Sequence, residues 1–228
     1  MDDAPSEAAR AREEIDAIRR RVINVVGHAF RTPVTTLCGM AETLAHTDDA
    51  ATRAALAEGV IRNARLVERL LDQLLLAADV STVLPVGDAT DVDVEAATRA
   101  AWDCLDTCNP MVVDAPGITA RVRPAALEHI LLLVLDNADK YGDGDVVVKA
   151  TTSHPWSAIE IESTGAIPSD EEMAEAFELF YRGEHAVMRT AGIGVGLPVA
   201  RKLAEIEGGN VTLFRRGDAV VARIELPA

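Results

Sequence analysis

The stretch Arg21-Val22-Ile23-Asn24-Val25-Val26-Gly27-His28-Ala29-Phe30-Arg31-Thr32-Pro33-Val34 decides how the first third of the chain folds. It continues an apolar stripe, Ile15, Ile18, Val22, Val25 and Ala29, whose alternating steps of three and four are those of a helical seam. The stripe slips by one residue and resumes as Phe30, Val34, Leu37, Ala41 and Leu44. Pro33 lies at the slip; lacking an N–H, it denies a hydrogen bond to the Ala29 carbonyl, and a kink is expected there. His28 stands one step before a seam position, on the flank of the helix, where a neutral imidazole open to water is a nucleophile. Thr32 shares its face one turn on.

Outward from this helix, residues 46–49 break the pattern, and a second helix follows with Val60, Ala64, Val67, Leu71, Leu74 and Ala78 on one stripe. Leu56, Leu70 and Leu75 broaden it. So short a turn makes the helices antiparallel neighbours. Two helices cannot bury faces this broad, so pairing with a second copy into a four-helix bundle, a homodimer, is the simplest closure. Residues 81–88 carry Pro, Gly and Ser and read as a linker. Beyond them, helices are expected at 94–105, 124–140, 169–177 and 194–207, and strands at 111–113, 118–122, 145–150, 158–162, 210–214 and 219–226. The expected fold is therefore an all-α helical hairpin followed by an α+β sandwich. Its parts are a disordered tail at 1–11, the hairpin at 12–80, the linker, and a second domain at 89–228.

Composition fits that plan. Of 228 residues, 49% are hydrophobic but only 4% aromatic, so the core must be built from Ala, Val, Leu and Ile. A net charge of −15 argues against nucleic acid as a partner. No apolar run is long enough for direct membrane insertion, and a cytoplasmic protein, or the cytoplasmic portion of a longer one, is expected. Cys38, Cys104 and Cys108 form no disulfide framework. With no second ligand pair to complete a metal site, they read as small buried hydrophobes.

Four strings, in order, carry a resemblance. Residues 26–34, with His28, Arg31, Thr32 and Pro33 in register, resemble the phospho-acceptor box His-Glu-Leu-Arg-Thr-Pro-Leu of sensor histidine kinases. Leu135-Asp136-Asn137-Ala138-Asp139-Lys140-Tyr141 resembles that family's Asn box, and Phe177-Glu178-Leu179-Phe180-Tyr181-Arg182 its Phe box. Gly192-Ile193-Gly194-Val195-Gly196-Leu197 resembles its second glycine box and leads into a helix. The residue types suit phosphate: Asn137 offers a neutral oxygen of the kind Mg²⁺ accepts, and Lys140 a point charge. Gly192, Gly194 and Gly196 permit close backbone approach before a helix N-terminus. Residues 181–191 would then form a short lid over the nucleotide.

The resemblance implies a two-component histidine kinase with a GHKL-type ATP-binding domain. His28 would take the γ-phosphoryl of ATP and pass it to an aspartate in the receiver domain of a response regulator. Thr32 would position a water for the reverse, phosphatase, reaction. Asn137 would hold Mg²⁺, and Lys140, Tyr141, Ser163, Gly165, Gly192, Gly194, Gly196 and Leu197 would bind nucleotide. Two departures fall at chemical positions. Ala29 stands where the family has an acidic residue acting on the imidazole, and general-base help is worth ~10²–10⁴-fold. Ser163 stands where the first glycine box has an Asp that accepts from adenine, and a neutral hydrogen bond is weaker than a charge-assisted one. That box also lacks a second glycine, and Leu133 replaces the first Asn of the Asn box. These departures leave room for a degenerate transmitter, acting mainly as phosphotransferase or phosphatase, and for a purely structural module.

Overall fold

The structure, a computed structural model, describes residues 7–78, 87–105, 107–183 and 192–228, without the side chains of residues 7–22, 69, 72–73 and 76–78. Most of the expected linker and residues 184–191 of the expected lid lie outside the described residues. The chain divides into two compact units, Met1–Gln73 and Leu74–Ala228.

The first unit is a hairpin of α1 (Glu7–His46) and α2 (Ala50–Ala78). Helix α1 starts inside the stretch expected as a tail and runs unbroken through Pro33. Asp49 starts α2: its carboxylate accepts from the Thr52 N–H (2.8 Å) and hydroxyl (2.6 Å). Those bonds, the hydroxyl's first, hold its pKa below the usual carboxylate value. The helices meet where Gly59 faces Met40; a Cβ on Gly59 would lie 2.7 Å from the Met40 sulfur. The inward stripe of α2 is Leu56, Gly59, Asn63, Leu66 and Leu70, one position off the apolar stripe that runs through Leu71. Pro33, Gly59 and Leu70 are buried, whereas Ile23, Val34, Ile61, Leu71 and Leu75 are 43–62% exposed. Alternate positions of so broad an apolar face cannot all point at one partner helix, which is why half of it stays outside.

The second unit is a two-layer α/β sandwich. Its large sheet has the order β2-β4-β5-β7-β6, from β2 (Met111–Asp114), β4 (Gly142–Ser153), β5 (Trp156–Gly165), β6 (Asn210–Arg216) and β7 (Ala219–Pro227). Only β2 pairs in parallel, with β4. A separate ribbon joins β1 (Thr90–Asp93) to β3 (Thr119–Val122), and the Ser157 hydroxyl ties it to the sheet by donating to the Thr119 carbonyl at 2.6 Å. Helices α3 (Val94–Asp103), α4 (Pro124–Tyr141) and α6 (Gly196–Ile206) cover one face. Alternation along the strands sends Val146, Val148, Ile159, Ile161, Ile224 and Leu226 inward against Leu127, Ile130, Leu131, Val134 and Leu203, all at most 2% exposed. The other face carries Glu160, Glu162, Arg223 and Glu225, with Arg216 bridging the two glutamates of β5.

Caps fix the helix starts: Asp93 accepts from the Ala96 N–H, Pro124 opens α4, and Ser169 and Glu172 form a capping box on the short α5 (Asp170–Glu175). All three cysteines are exposed, against their expected burial, because Cys38 lies on the outer side of α1 and the other two follow the end of α3 at Cys104.

Candidate functional site

In the hairpin, His28 and Thr32 both lie on the exposed side of α1. The Thr32 hydroxyl donates weakly to the His28 carbonyl (3.5 Å), the usual tether of a threonine within a helix. The imidazole makes no hydrogen bond to another described residue, and Asn24, one turn earlier, does not reach it.

In the sandwich, three segments converge on the carboxy-terminal half of α4. The first is α4 itself. The Asn137 side chain is half-buried and makes no hydrogen bond to another described residue, which leaves its amide uncommitted. Lys140 differs: its Nζ sits 2.5 Å from the Asp136 carboxylate, so its charge is already partnered within the helix. Asp139 accepts from the Thr107 hydroxyl (2.5 Å) and the Asn109 amide (2.8 Å), anchoring the stretch before β2 to α4.

The second segment is the end of β5. Gly142, directly after Tyr141, pairs with Gly165 across a break in register. A Cβ on Gly165, at φ +151°, would strike the Tyr141 carbonyl at 2.7 Å, and one on Gly142 would lie 3.1 Å from the Ser163 Cβ. Only glycines allow this crossing, and it brings Ser163 and Gly165 to the end of α4. The Ser163 hydroxyl is half-buried and hydrogen-bonds no described residue.

The third segment is 192–197. Gly194 is required by the protein's own packing: its φ is +70°, and a Cβ would overlap the Tyr181 carbonyl. Gly192 and Gly196 are not; among the described residues nothing lies within 4 Å of a Cβ on Gly192, and one on Gly196 would meet only Leu133, at 3.8 Å. Leu133 is one helical turn before Asn137, so the start of α6 lies beside the Asn137 turn. Leu197 is buried as the second residue of α6. No side chain caps α6, since Val195 at its N-cap has no polar group to offer. An unobstructed Gly192 among the described residues, an uncapped helix start and an uncommitted amide are the kinds of group that can receive a phosphate.

The Phe box packs against this segment. The Phe180 N–H donates to the Gly194 carbonyl at 2.8 Å, and Phe180 itself has φ +65°, an uncommon conformation for an aromatic residue. The Tyr181 hydroxyl bonds Glu175; that bond, burial, and the charges of Glu175, Glu172 and Glu178 push its pKa up to about 12. Arg201 of α6 lies 3.1 Å over the Phe177 ring. Arg201, Asp136 and the Thr107–Asn109–Asp139 cluster escaped the sequence reading. Only Asp136, at i, i+4 from Lys140, had a signal there to find.

Residues 122–228 match the family described as Histidine kinase-, DNA gyrase B-, and HSP90-like ATPase. The signal transduction histidine-protein kinase AfsQ2 of Streptomyces coelicolor is 28% identical over 211 residues, covering 85% of this chain and 38% of AfsQ2. The sensor-like histidine kinase SenX3 of Mycobacterium bovis is 28% identical over 230 residues, covering 94% of this chain and 55% of SenX3. The chain thus spans 26–55% of the length of these and similar curated relatives. Among solved structures, full-length ShkA in complex with AMPPNP superposes with a TM-score of 0.62 at 23% identity, covering 91% of this chain and 45% of ShkA. The histidine kinase ThkA in complex with response regulator protein TrrA gives 0.62 at 16% identity, covering 99% of this chain and 68% of that one. Residues 122–228 form a domain of the histidine kinase-, DNA gyrase B- and HSP90-like ATPase family, in a chain related along most of its length to sensor histidine kinases.

Proposed function

We propose that the chain is the transmitter core of a two-component system: it binds Mg-ATP in the sandwich, phosphorylates His28, and hands the phosphoryl group to a response-regulator aspartate. The observation that carries this reading is the convergence on α4 of the uncommitted Asn137 amide, Gly192 with nothing within 4 Å of its missing Cβ among the described residues, and the uncapped start of α6. In the reaction a ring nitrogen of His28 attacks the γ-phosphorus, a P–N bond forms, and ADP leaves with the electrons of the broken P–O bond.

The metal fits on stated terms. No cluster of three or more His, Cys, Asp or Glu side chains that could hold a metal exists among the described residues. Mg²⁺ would therefore be held by the Asn137 oxygen together with phosphate and water, as this reluctantly dehydrated ion usually is, and would neutralise charge on the transferring phosphoryl group. The base would be met by Ser163, Gly165 and Tyr141, and the phosphates by Gly192, Gly194, Gly196 and the N–H group of Leu197. Lys140 joins them only by exchanging its pairing with Asp136. Two copies pair through the outer hairpin stripe as a homodimer, and a receiver domain docks beside His28. In support of the partner, the structure of ThkA is of a complex with response regulator protein TrrA. No helix among the described residues is long and apolar enough to cross a membrane.

Incubation with Mg-ATP is expected to give acid-labile, base-stable phosphate that vanishes in His28→Gln. Nucleotide binding without any phospho-histidine would overturn the kinase. A second reading has a specific observation behind it. No Asp or Glu lies between Asp16 and Glu42, so no carboxylate of α1 is near enough to take the imidazole proton. A transmitter serving mainly as phosphotransferase or phosphatase, with Thr32 positioning the hydrolytic water, needs no such base. Transfer of phosphate from a phosphorylated receiver domain to His28 without ATP, with autophosphorylation absent, selects that reading.

A further inference from the structure

Arg201 holds a place that neither the glycine segment nor the Asn137 turn accounts for. It lies on α6, five residues past Gly196, with its Nε donating to the carbonyl of Val211 on the edge strand β6 at 2.8 Å. That bond fixes the plane of the guanidinium, and one face of it carries the Phe177 ring at 3.1 Å. Burial pulls the Arg201 pKa down, the mark of a cation partly stripped of water, and a stripped cation holds an aromatic face more strongly than a hydrated one. Phe177 lies two residues past the end of the short α5, with its ring under the Arg201 cation.

The contacts then close a ring. Three residues after Phe177, the Phe180 N–H binds the Gly194 carbonyl, and the Tyr181 carbonyl occupies the space a Gly194 side chain would take. Gly194 is two residues ahead of the first residue of α6, the helix that carries Arg201. The Phe box is thus tied twice, through the Phe177 ring to α6 and through the Phe180 amide to Gly194 just ahead of that helix, and the stretch held between the ties sets how Gly194 leads into the helix.

We propose that Arg201 is a positioning residue for nucleotide: by stacking on Phe177 it seats the Phe box, and the seated Phe box holds residues 192–196 in their phosphate-ready conformation. The proposal rests on nucleotide binding in the sandwich, so its test has an arm that does not.

In nucleotide-free protein, Arg201→Ala quickens amide hydrogen exchange at Phe180, while the amides of Leu131 and Leu135 in the α4 core keep their protection. By calorimetry with Mg-ATP, the same variant weakens binding by about threefold to tenfold, the worth of one partly desolvated cation–π contact. Phe177→Leu reproduces both effects without touching α6, and the double variant is no worse than either single one. Arg201→Lys, which keeps the charge but not the flat face, recovers only part of the affinity. If phosphorylation of His28 is followed as well, KM for ATP rises while the maximal rate stays.

Unchanged exchange at Phe180 in Arg201→Ala overturns the clamp. Faster exchange with unaltered nucleotide affinity overturns the positioning role and leaves a merely structural contact. Should Arg201→Ala fail to fold, Phe177→Leu decides both points. A wild-type protein that binds no Mg-ATP brings down the nucleotide site together with the positioning role, and the exchange arm distinguishes that outcome from a failed clamp.

Discussion

The hairpin and the sandwich spend their apolar residues in opposite ways. In the sandwich nearly every large aliphatic side chain of the sheet's inner face and of α4 is out of water. In the hairpin only Pro33, Gly59 and Leu70 are buried among the described side chains, while Ile23, Val34, Ile61, Leu71 and Leu75 face outward. Both regions draw on the same Ala, Val, Leu and Ile, so composition does not separate them. Geometry does: a sheet presents one flat face that three helices can cover, whereas two helices each carry an apolar stripe wider than the other can cover. Among the described residues the sandwich encloses its aliphatic core, and the hairpin leaves part of its apolar stripe exposed.

The largest effect should follow from attacking the open region. Ile61→Asp combined with Leu71→Asp is expected to convert a dimer into monomers in analytical ultracentrifugation at micromolar concentration. Each aliphatic side chain is worth about 1.5–3 kcal/mol of burial, and the pair is lost in both copies. Wild-type protein that already sediments as a monomer would break the comparison, because the outer stripe would then be tolerated in water.

The closed region should answer to its own ties. Glu207, with its side chain 4% exposed, accepts from the Arg123 backbone N–H (3.1 Å) and from the Arg123 guanidinium (2.6 Å), joining the start of α4 to the end of α6. Glu207→Ala removes both bonds at once, each charge-assisted or part-buried, and should cost about 1–3 kcal/mol. Trp102 and Trp156 both belong to the sandwich, so urea unfolding followed by tryptophan fluorescence reads this region alone. The midpoint should fall in Glu207→Ala and stay in place in Leu71→Asp. Equal shifts in both would mean that the two units do not unfold independently.

What was legible in the sequence follows the same divide between local and distant causes. The helices and the pairs β4–β5 and β6–β7 were readable because periodicity and turns are local. Strand β1 was not: Thr90-Asp91-Val92-Asp93 has a single apolar residue, and its pairing with β3 is decided by contacts about thirty residues away. Helix α6 begins at Gly196 rather than two residues earlier because Gly194, at φ +70°, lies outside helical space. Likewise α4 ends where Gly142 and Gly165 cross, which the run Gly142-Asp143-Gly144-Asp145 disguises as a plain turn. Within the candidate site, residue types and order were legible, but commitments were not. Nothing in the string Asp136-Asn137-Ala138-Asp139-Lys140 tells that Asn137 stays uncommitted while its charged neighbours take partners. Nor does it tell that Phe177 sits under a guanidinium supplied by another helix.

The smallest predicted effect sharpens the comparison from within the closed region. The chain has two tyrosines, Tyr141 and Tyr181, both in the sandwich, so the absorbance of phenolate reports on that region without contribution from the hairpin. Tyr181 is raised from 10.0 to about 12, first by its hydrogen bond to Glu175, then by burial and the surrounding glutamates. A raised phenol pKa means that folding favours the protonated form. The resulting stability is therefore fully present below pH 10 and is lost as the pH rises from 10 through about 12. Tyr181→Phe should abolish the late rise in absorbance, and Glu175→Gln should draw it back toward the ordinary value by removing the charge while leaving an acceptor. A wild-type curve with no rise later than the ordinary phenol value of 10.0 would show that Tyr181 is not held by Glu175. The Phe box would then be seated only through Phe177 and Phe180, leaving Arg201 to carry more of that work.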